Sequence, residues 1–125
     1  MLPSSWPADA VPLVEALLAE ARGQGSSDLH LVPGPEGLQA RLRVDGCLHD
    51  LARLPDPARQ RVPARLKILA QLPTYETDLP QEGRADWQGL ELRVSCFPTI
   101  HGERTVVRLF EPRHREASLA DLGLP

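Results

Sequence analysis

Lysine is almost absent from this chain: Lys67 is the only one among the 14 basic residues, and the rest are arginine. A GC-rich coding sequence accounts for such a bias, so only the positions of individual arginines carry functional meaning. Aromatic residues make up 4% of the chain. Tyr75 and the two tryptophans are too few and too scattered for the stacking platform of a single-strand nucleic-acid binder, and the same scarcity argues against a large aromatic cofactor pocket. A formal net charge of −3 removes bulk electrostatic attraction to nucleic acid or acidic membranes. Cysteine is limited to Cys47 and Cys96, with no CxxC pair. That excludes a cysteine-built zinc site and predicts two small buried thiols in a reducing compartment. No apolar run reaches the length of a membrane span. Residues Met1–Ala10 carry neither an apolar run nor a basic flank, so a soluble, cytoplasmic protein without a signal peptide is expected. Phosphate-loop, dinucleotide, zinc-protease and nucleophile-elbow motifs are all absent. The chain alone is therefore expected to contain no catalytic residues and no metal site.

What is present is the pattern of one α+β domain. The 125 residues are 42% hydrophobic, enough for a single modest core. Residues 1–8 read as a loose lead-in. Asp9 is placed to cap a helix over about 10–22, with Val11, Val14, Leu17, Leu18 and Ala21 on one face and Gly23 and Gly25 ending it. Residues 28–54 predict an antiparallel meander: a short strand to Pro33, an alternating strand over Leu38–Val44, an Asp45-Gly46 hairpin turn, and a third strand over Cys47–Leu54. A second helix is expected over 57–72, with Val62, Leu66, Leu69 and Leu72 buried and Pro73 as the stop. Residues 74–83 read as an irregular connection. Two strands follow, one burying Leu90, Leu92, Val94 and Cys96, the other Thr105, Val107 and Leu109. The predicted sheet core is Leu42, Val44, Leu92, Val94, Val107 and Leu109, with helices on one side of the sheet.

Candidate functional groups are few. His30, His49, His101 and His114 are scattered and read as hydrogen-bonded surface or strand residues. Gly46, Gly83 and Gly102 read as turn residues. Arg93 and Arg108 lie fifteen residues apart on consecutive strands. A hairpin near Ile100 would project them from one sheet face, where two guanidinium forks can grip phosphate oxygens. The alternative is pairing across the sheet with Glu91, Glu103 or Asp45.

Spaced motifs run from residue 27 to 111: Ser27-Asp28-Leu29-His30-Leu31, Arg41-Leu42-Arg43-Val44-Asp45-Gly46, Arg65-Leu66-Lys67-Ile68-Leu69-Ala70, Pro80-Gln81-Glu82-Gly83-Arg84, Leu92-Arg93-Val94-Ser95 and Gly102-Glu103-Arg104-Thr105-Val106-Val107-Arg108-Leu109. This series resembles the PAS-like domain that precedes the ATPase core in type II secretion and type IV pilus assembly ATPases (the GspE/PulE/PilB family). The resemblance implies a PAS-like domain over 9–112 and a linker over 113–125 leading to a C-terminal RecA-like ATPase domain. It implies a piece of a longer hexameric motor, cytoplasmic and peripheral at the inner membrane, working with platform proteins there. ATP and magnesium would be held by the ATPase domain. Arg93 and Arg108 match the family positions that reach that ATP, and Arg84 and Arg104 match further motif positions with a weaker claim to phosphate contact. On that reading the isolated domain is monomeric or weakly associated. A stand-alone protein-interaction module and a PAS-like small-ligand sensor are the alternatives.

Overall fold

In the computed structural model the described residues are 6, 7 and 9–110; the lead-in, apart from Trp6 and Pro7, and the linker over 113–125 lie outside them. Helix α1 (Ala10–Gly23) buries Leu13, Val14, Leu17, Leu18 and Ala21. Val11, expected on that face, is 50% exposed, and Leu13 takes its place. Asp9 does occupy the N-cap with extended backbone, but its side chain makes no capping hydrogen bond. The other end closes as expected from glycine. Gly25 adopts φ 67, and the Ser26 and Gly25 amides donate to the Ala21 and Arg22 carbonyls.

Strands β1 (Asp28–Pro33), β2 (Gly37–Val44) and β3 (Cys47–Pro55) form the predicted antiparallel meander. Asp45 and Gly46, at φ 52 and 82, make the tight turn that pairs Val44 with Cys47. A bulge interrupts the β2–β3 register between Ala40 and Arg41. Helix α2 (Ala58–Leu69) is shorter than its predicted 57–72. Its stop is not Pro73. Gln71 turns left-handed at φ 59, and the Leu72 amide donates to the Lys67 carbonyl at 2.8 Å. The helix also runs through Pro63, which is buried and forfeits one intrahelical hydrogen bond.

Strand β4 (Gln81–Trp87) corrects the expectation of an irregular segment reaching to Gly83. It precedes β5 (Leu90–Thr99) and β6 (Gly102–Phe110). Gly83 is not a turn residue. It lies in β4 facing α2, where a Cβ would come 2.8 Å from the Ala70 carbonyl oxygen and 3.0 Å from Leu72 Cγ. Glycine is thus needed for close approach of the strand to the helix end. Gln88 and Gly89, at φ 48 and 78, supply the β4–β5 turn.

The six strands form one wholly antiparallel, open sheet in the order β3-β2-β1-β6-β5-β4. Both helices cover one face, so the α+β expectation holds. Leu42, Leu92, Val94 and Val107 are buried between sheet and helices, with Val44 and Leu109 packed against that core. Cys96 is buried and Cys47 exposed, so only one of the two thiols is the expected buried one; both are free. Burial pushes the Cys96 thiol up, while a contact with the Thr105 hydroxyl at 3.8 Å opposes this.

The buried basic group is Lys67. Its side chain is fully buried, its Nζ lies 2.7 Å from Glu103 Oε2, and it donates to the Glu76 carbonyl at 2.6 Å. One ammonium therefore ties α2 to the start of β6 and to the connection before β4. No helix among the described residues is long and apolar enough to cross a membrane.

Candidate functional site

Alternation along each strand sends every second side chain to the face that neither α1 nor α2 covers, the uncovered face among the described residues. The register then builds a row straight across that face. Arg84 on β4 is opposite Arg93 on β5, Arg93 is opposite Arg108 on β6, Arg108 is opposite Asp28 on β1, and Asp28 is opposite Arg43 on β2. Three of the four sequence-predicted arginines thus fall in one row, and Arg93 and Arg108 are direct cross-strand partners. Arg104 is not in the row. It lies further along β6, opposite Phe97.

Neighbouring like charges in cross-strand pairs destabilise a sheet. A run of three arginines is therefore unfavourable unless anions offset it. The offset within the protein is partial. Arg108 Nε donates to Asp28 Oδ1 at 3.2 Å. Arg43 Nε approaches the other oxygen of the same carboxylate at 3.5 Å and donates from its terminal amino group to the Gly46 carbonyl at 3.0 Å. Arg93 Nε is 3.8 Å from Glu82 Oε1, and its guanidinium stacks 5.3 Å from the centre of the Phe110 ring. Among the described residues, Glu82 and Asp28 are the carboxylates that stand against Arg93 and Arg108, whereas Glu103, one of the alternatives read from the sequence, pairs with Lys67.

The geometry of these pairs bears on ligand binding. Arg93 and Arg108 meet their carboxylates through Nε, the nitrogen nearest the chain. The terminal amino groups stand at the outer end of each fork. The Arg108 side chain is 57% exposed and the Asp28 side chain 9% exposed. A buried carboxylate therefore holds the base of a guanidinium whose tip faces outward. Arg84 and Arg104 are exposed and make no hydrogen bond or ion pair among the described residues. Chemically, the row is an arrangement of planar donors suited to phosphate oxygens.

His30 stands beside the row, on the same face of β1. Its side chain is 12% exposed and its Nε2 is 4.0 Å from Asp28 Oδ2. Neither ring nitrogen has a hydrogen-bond partner among the described residues, so the expectation of a hydrogen-bonded histidine does not hold here. Burial holds its pKa below the usual histidine value, Asp28 opposes this, and Arg104, Arg43 and Arg108 add to the lowering. Read from the sequence, His30 is a hydrogen-bonded surface or strand residue, and Asp28, Arg43 and Phe110 carry no role at the site. The available signal is the alternation on β1, β2 and β6, which places all four on the face of Arg93 and Arg108 once the strands are paired.

Comparison with known proteins places the chain in a family. The model of the type II/IV secretion system protein family matches residues 7–125. The chain is 41% identical over 118 residues to the type IV pilus assembly ATPase TfpB of Acinetobacter baylyi, covering 90% of this chain and 20% of that protein. It is 35% identical over 121 residues to the type IV pilus assembly ATPase PilB of Pseudomonas aeruginosa, covering 93% of this chain and 21% of that protein. It is 33% identical over 128 residues to the type II secretion system ATPase E of Vibrio cholerae, covering 99% of this chain and 25% of that protein. The chain thus spans about a fifth to a quarter of the length of these curated relatives. By the match over nearly its whole length, the chain belongs to the type II/IV secretion system protein family.

Proposed function

We propose that this domain is the nucleotide-gripping, motion-coupling domain of a secretion or pilus-assembly ATPase. Its relatives are named as ATPases of pilus assembly and of type II secretion. In this reading a RecA-like domain of the longer protein holds Mg–ATP and carries out hydrolysis. The domain described above closes over the triphosphate, with Arg93 and Arg108 reaching its oxygens and Arg84 and Arg104 adding charge at the margins. When the phosphate charge changes on hydrolysis, the grip changes and the domain rotates as a rigid body, a common switching mode. The working form is a homohexamer, peripheral at the inner membrane, in which the domain meets the ATPase domains of its own and neighbouring subunits and the motion passes to platform proteins.

The observation that carries this reading is the direct cross-strand pairing of Arg93 with Arg108 on the sheet face opposite α1 and α2, with Arg108 held at Nε by Asp28. The residues fit an anion: planar donors face outward, and the one buried carboxylate of the row is already engaged by two arginines. Magnesium would be held elsewhere, since the row offers it no cluster of oxygen ligands.

The test is equilibrium binding of a non-hydrolysable Mg–ATP analogue to the full-length protein. A hydrogen bond to a charged group contributes about 1.5–3 kcal/mol. Arg93→Ala and Arg108→Ala should therefore each weaken binding roughly 10- to 100-fold. Unchanged affinity in the double variant would remove the phosphate-gripping role.

A further inference from the structure

His30 occupies the centre of the uncovered face. Its cross-strand partners are Arg41 on β2 and Val106 on β6. The adjacent row on the same face places Asp28 between Arg43 and Arg108. Arg41 and Arg43 thus face it from β2, Arg104 and Arg108 from β6, and Asp28 from its own strand. Asp28 cannot satisfy the imidazole: at 4.0 Å it is outside hydrogen-bond distance, and its two oxygens already meet Arg108 and Arg43. Both ring nitrogens are buried and without a partner among the described residues.

This combination is unfavourable as packing alone. A buried polar group without a partner lowers stability, and the neighbouring β6 position, Val106, shows that an apolar side chain suits this face. The surroundings disfavour the imidazolium in the nucleotide-free protein: burial acts first, Arg104, Arg43 and Arg108 add to it, and Asp28 offsets them only in part. An anion brought in by Arg108 would reverse that field. It would offer an acceptor to the unmet ring nitrogen and an opposite charge to an imidazolium.

We propose that His30 is a third phosphate-binding group, the diagonal neighbour of Arg108 across the β1–β6 pairing, and that it takes up one proton from solvent as the triphosphate binds. This deepens the nucleotide-gripping reading and rests on it. The proton balance is simple: neutral imidazole plus a proton from the buffer gives imidazolium, hydrogen-bonded to a phosphate oxygen, and no bond of the nucleotide changes. The sign of the pH dependence follows. Between the free-state and bound-state pKa values of His30, binding consumes a proton, so affinity rises as pH falls through the bound-state value. It levels off below the free-state value. A bound-state pKa one unit above the free-state value would give about a tenfold change in affinity across that window.

The experiment is isothermal titration of the full-length protein with a non-hydrolysable ATP analogue at saturating magnesium. Measurement in two buffers of different ionisation enthalpy, near pH 6.5, gives the protons taken up on binding. Wild type should take up a substantial fraction of a proton. His30→Gln, similar in length and non-titrating, should take up less and should lose the strengthening of affinity at low pH. Proton uptake close to zero in wild type overturns the proposal without recourse to any variant. So does equal uptake in wild type and His30→Gln; if binding still depends on Arg93 and Arg108, the gripping role survives that result. Binding that is indifferent to Arg93→Ala and Arg108→Ala overturns the gripping role and the His30 proposal together.

Discussion

Replacing Lys67 by methionine removes the ammonium and keeps most of the side-chain volume. What remains is Glu103, with its side chain 10% exposed and without its ion-pair partner, and the Glu76 carbonyl, deprived of its donor. Breaking a buried pair from one side costs about 3–5 kcal/mol, because the surviving charge stays desolvated. Domains of this kind have a total stability of about 5–15 kcal/mol, so the loss is a large part of the whole. Urea unfolding followed by circular dichroism should show a fall in midpoint of about 1–5 M for a slope near 1–3 kcal/mol/M, with the slope itself unchanged. The double variant Lys67→Met/Glu103→Leu removes both charges. It should recover most of the loss, since well-packed apolar replacements of buried pairs are often neutral or stabilising. A single-variant cost below about 1 kcal/mol would mean that water reaches Glu103 and that the pair behaves as an exposed one. The result matters for the site because Glu103 begins the strand that carries Arg104 and Arg108.

Gly83→Ala should destabilise the domain by about 1–3 kcal/mol, as overpacking does, because the new methyl would meet the Ala70 carbonyl oxygen at 2.8 Å; thermal or urea melts read it, and a neutral result would mean that β4 shifts freely away from α2. Asp28→Asn keeps the shape but removes the charge that Arg108 and Arg43 share. It should cost about 1–3 kcal/mol of stability, the scale for losing a charged hydrogen bond in a buried setting, and nucleotide affinity in the full-length protein should fall because Arg108 is no longer held at its base. Because burial lowers the folded-state pKa of His30, the unfolded chain binds its proton first. Stability is therefore lost as pH falls below the unfolded value of about 6.5, until the folded-state value is reached. His30→Gln should lack that component in melts between pH 7.5 and 5.5, and identical pH dependence in the two proteins would contradict the burial argument.

The elements legible in the sequence are those fixed by local rules. Helix α1 follows from apolar spacing and from glycine at its end, and the β2–β3 hairpin from Asp45-Gly46. The shared face of Arg93 and Arg108 follows from alternation and a short turn. The failures have tertiary causes. Gly83 looks like a turn residue because the sequence does not show the end of α2 packed against it. The end of α2 depends on Gln71 entering a left-handed conformation, which nothing in its residue type announces. Asp28 and Arg108 are 80 residues apart, and only the β1–β6 pairing makes them partners. His30 seemed an isolated histidine because its charged neighbours come from two other strands. Lys67 falls within the predicted second helix but outside its predicted buried stripe, and its partner Glu103 lies beyond the reach of any helical pattern.

Steady-state ATP turnover by the full-length protein is the most direct measurement of the arginine row. Wild type, Arg93→Ala and Arg108→Ala are compared with Arg61→Ala, an exposed arginine of α2 on the opposite side of the sheet. Arginines that stabilise a transferring phosphoryl group contribute about 10³–10⁵ in rate, and arginines that act mainly through domain closure contribute less. Both row variants should lose turnover by at least about tenfold, a barrier increase of roughly 1.4 kcal/mol, with melting curves that show a folded domain and with Arg61→Ala close to wild type. Wild-type turnover in folded Arg93→Ala and Arg108→Ala, or an equal loss in Arg61→Ala, would contradict a specific role for the row.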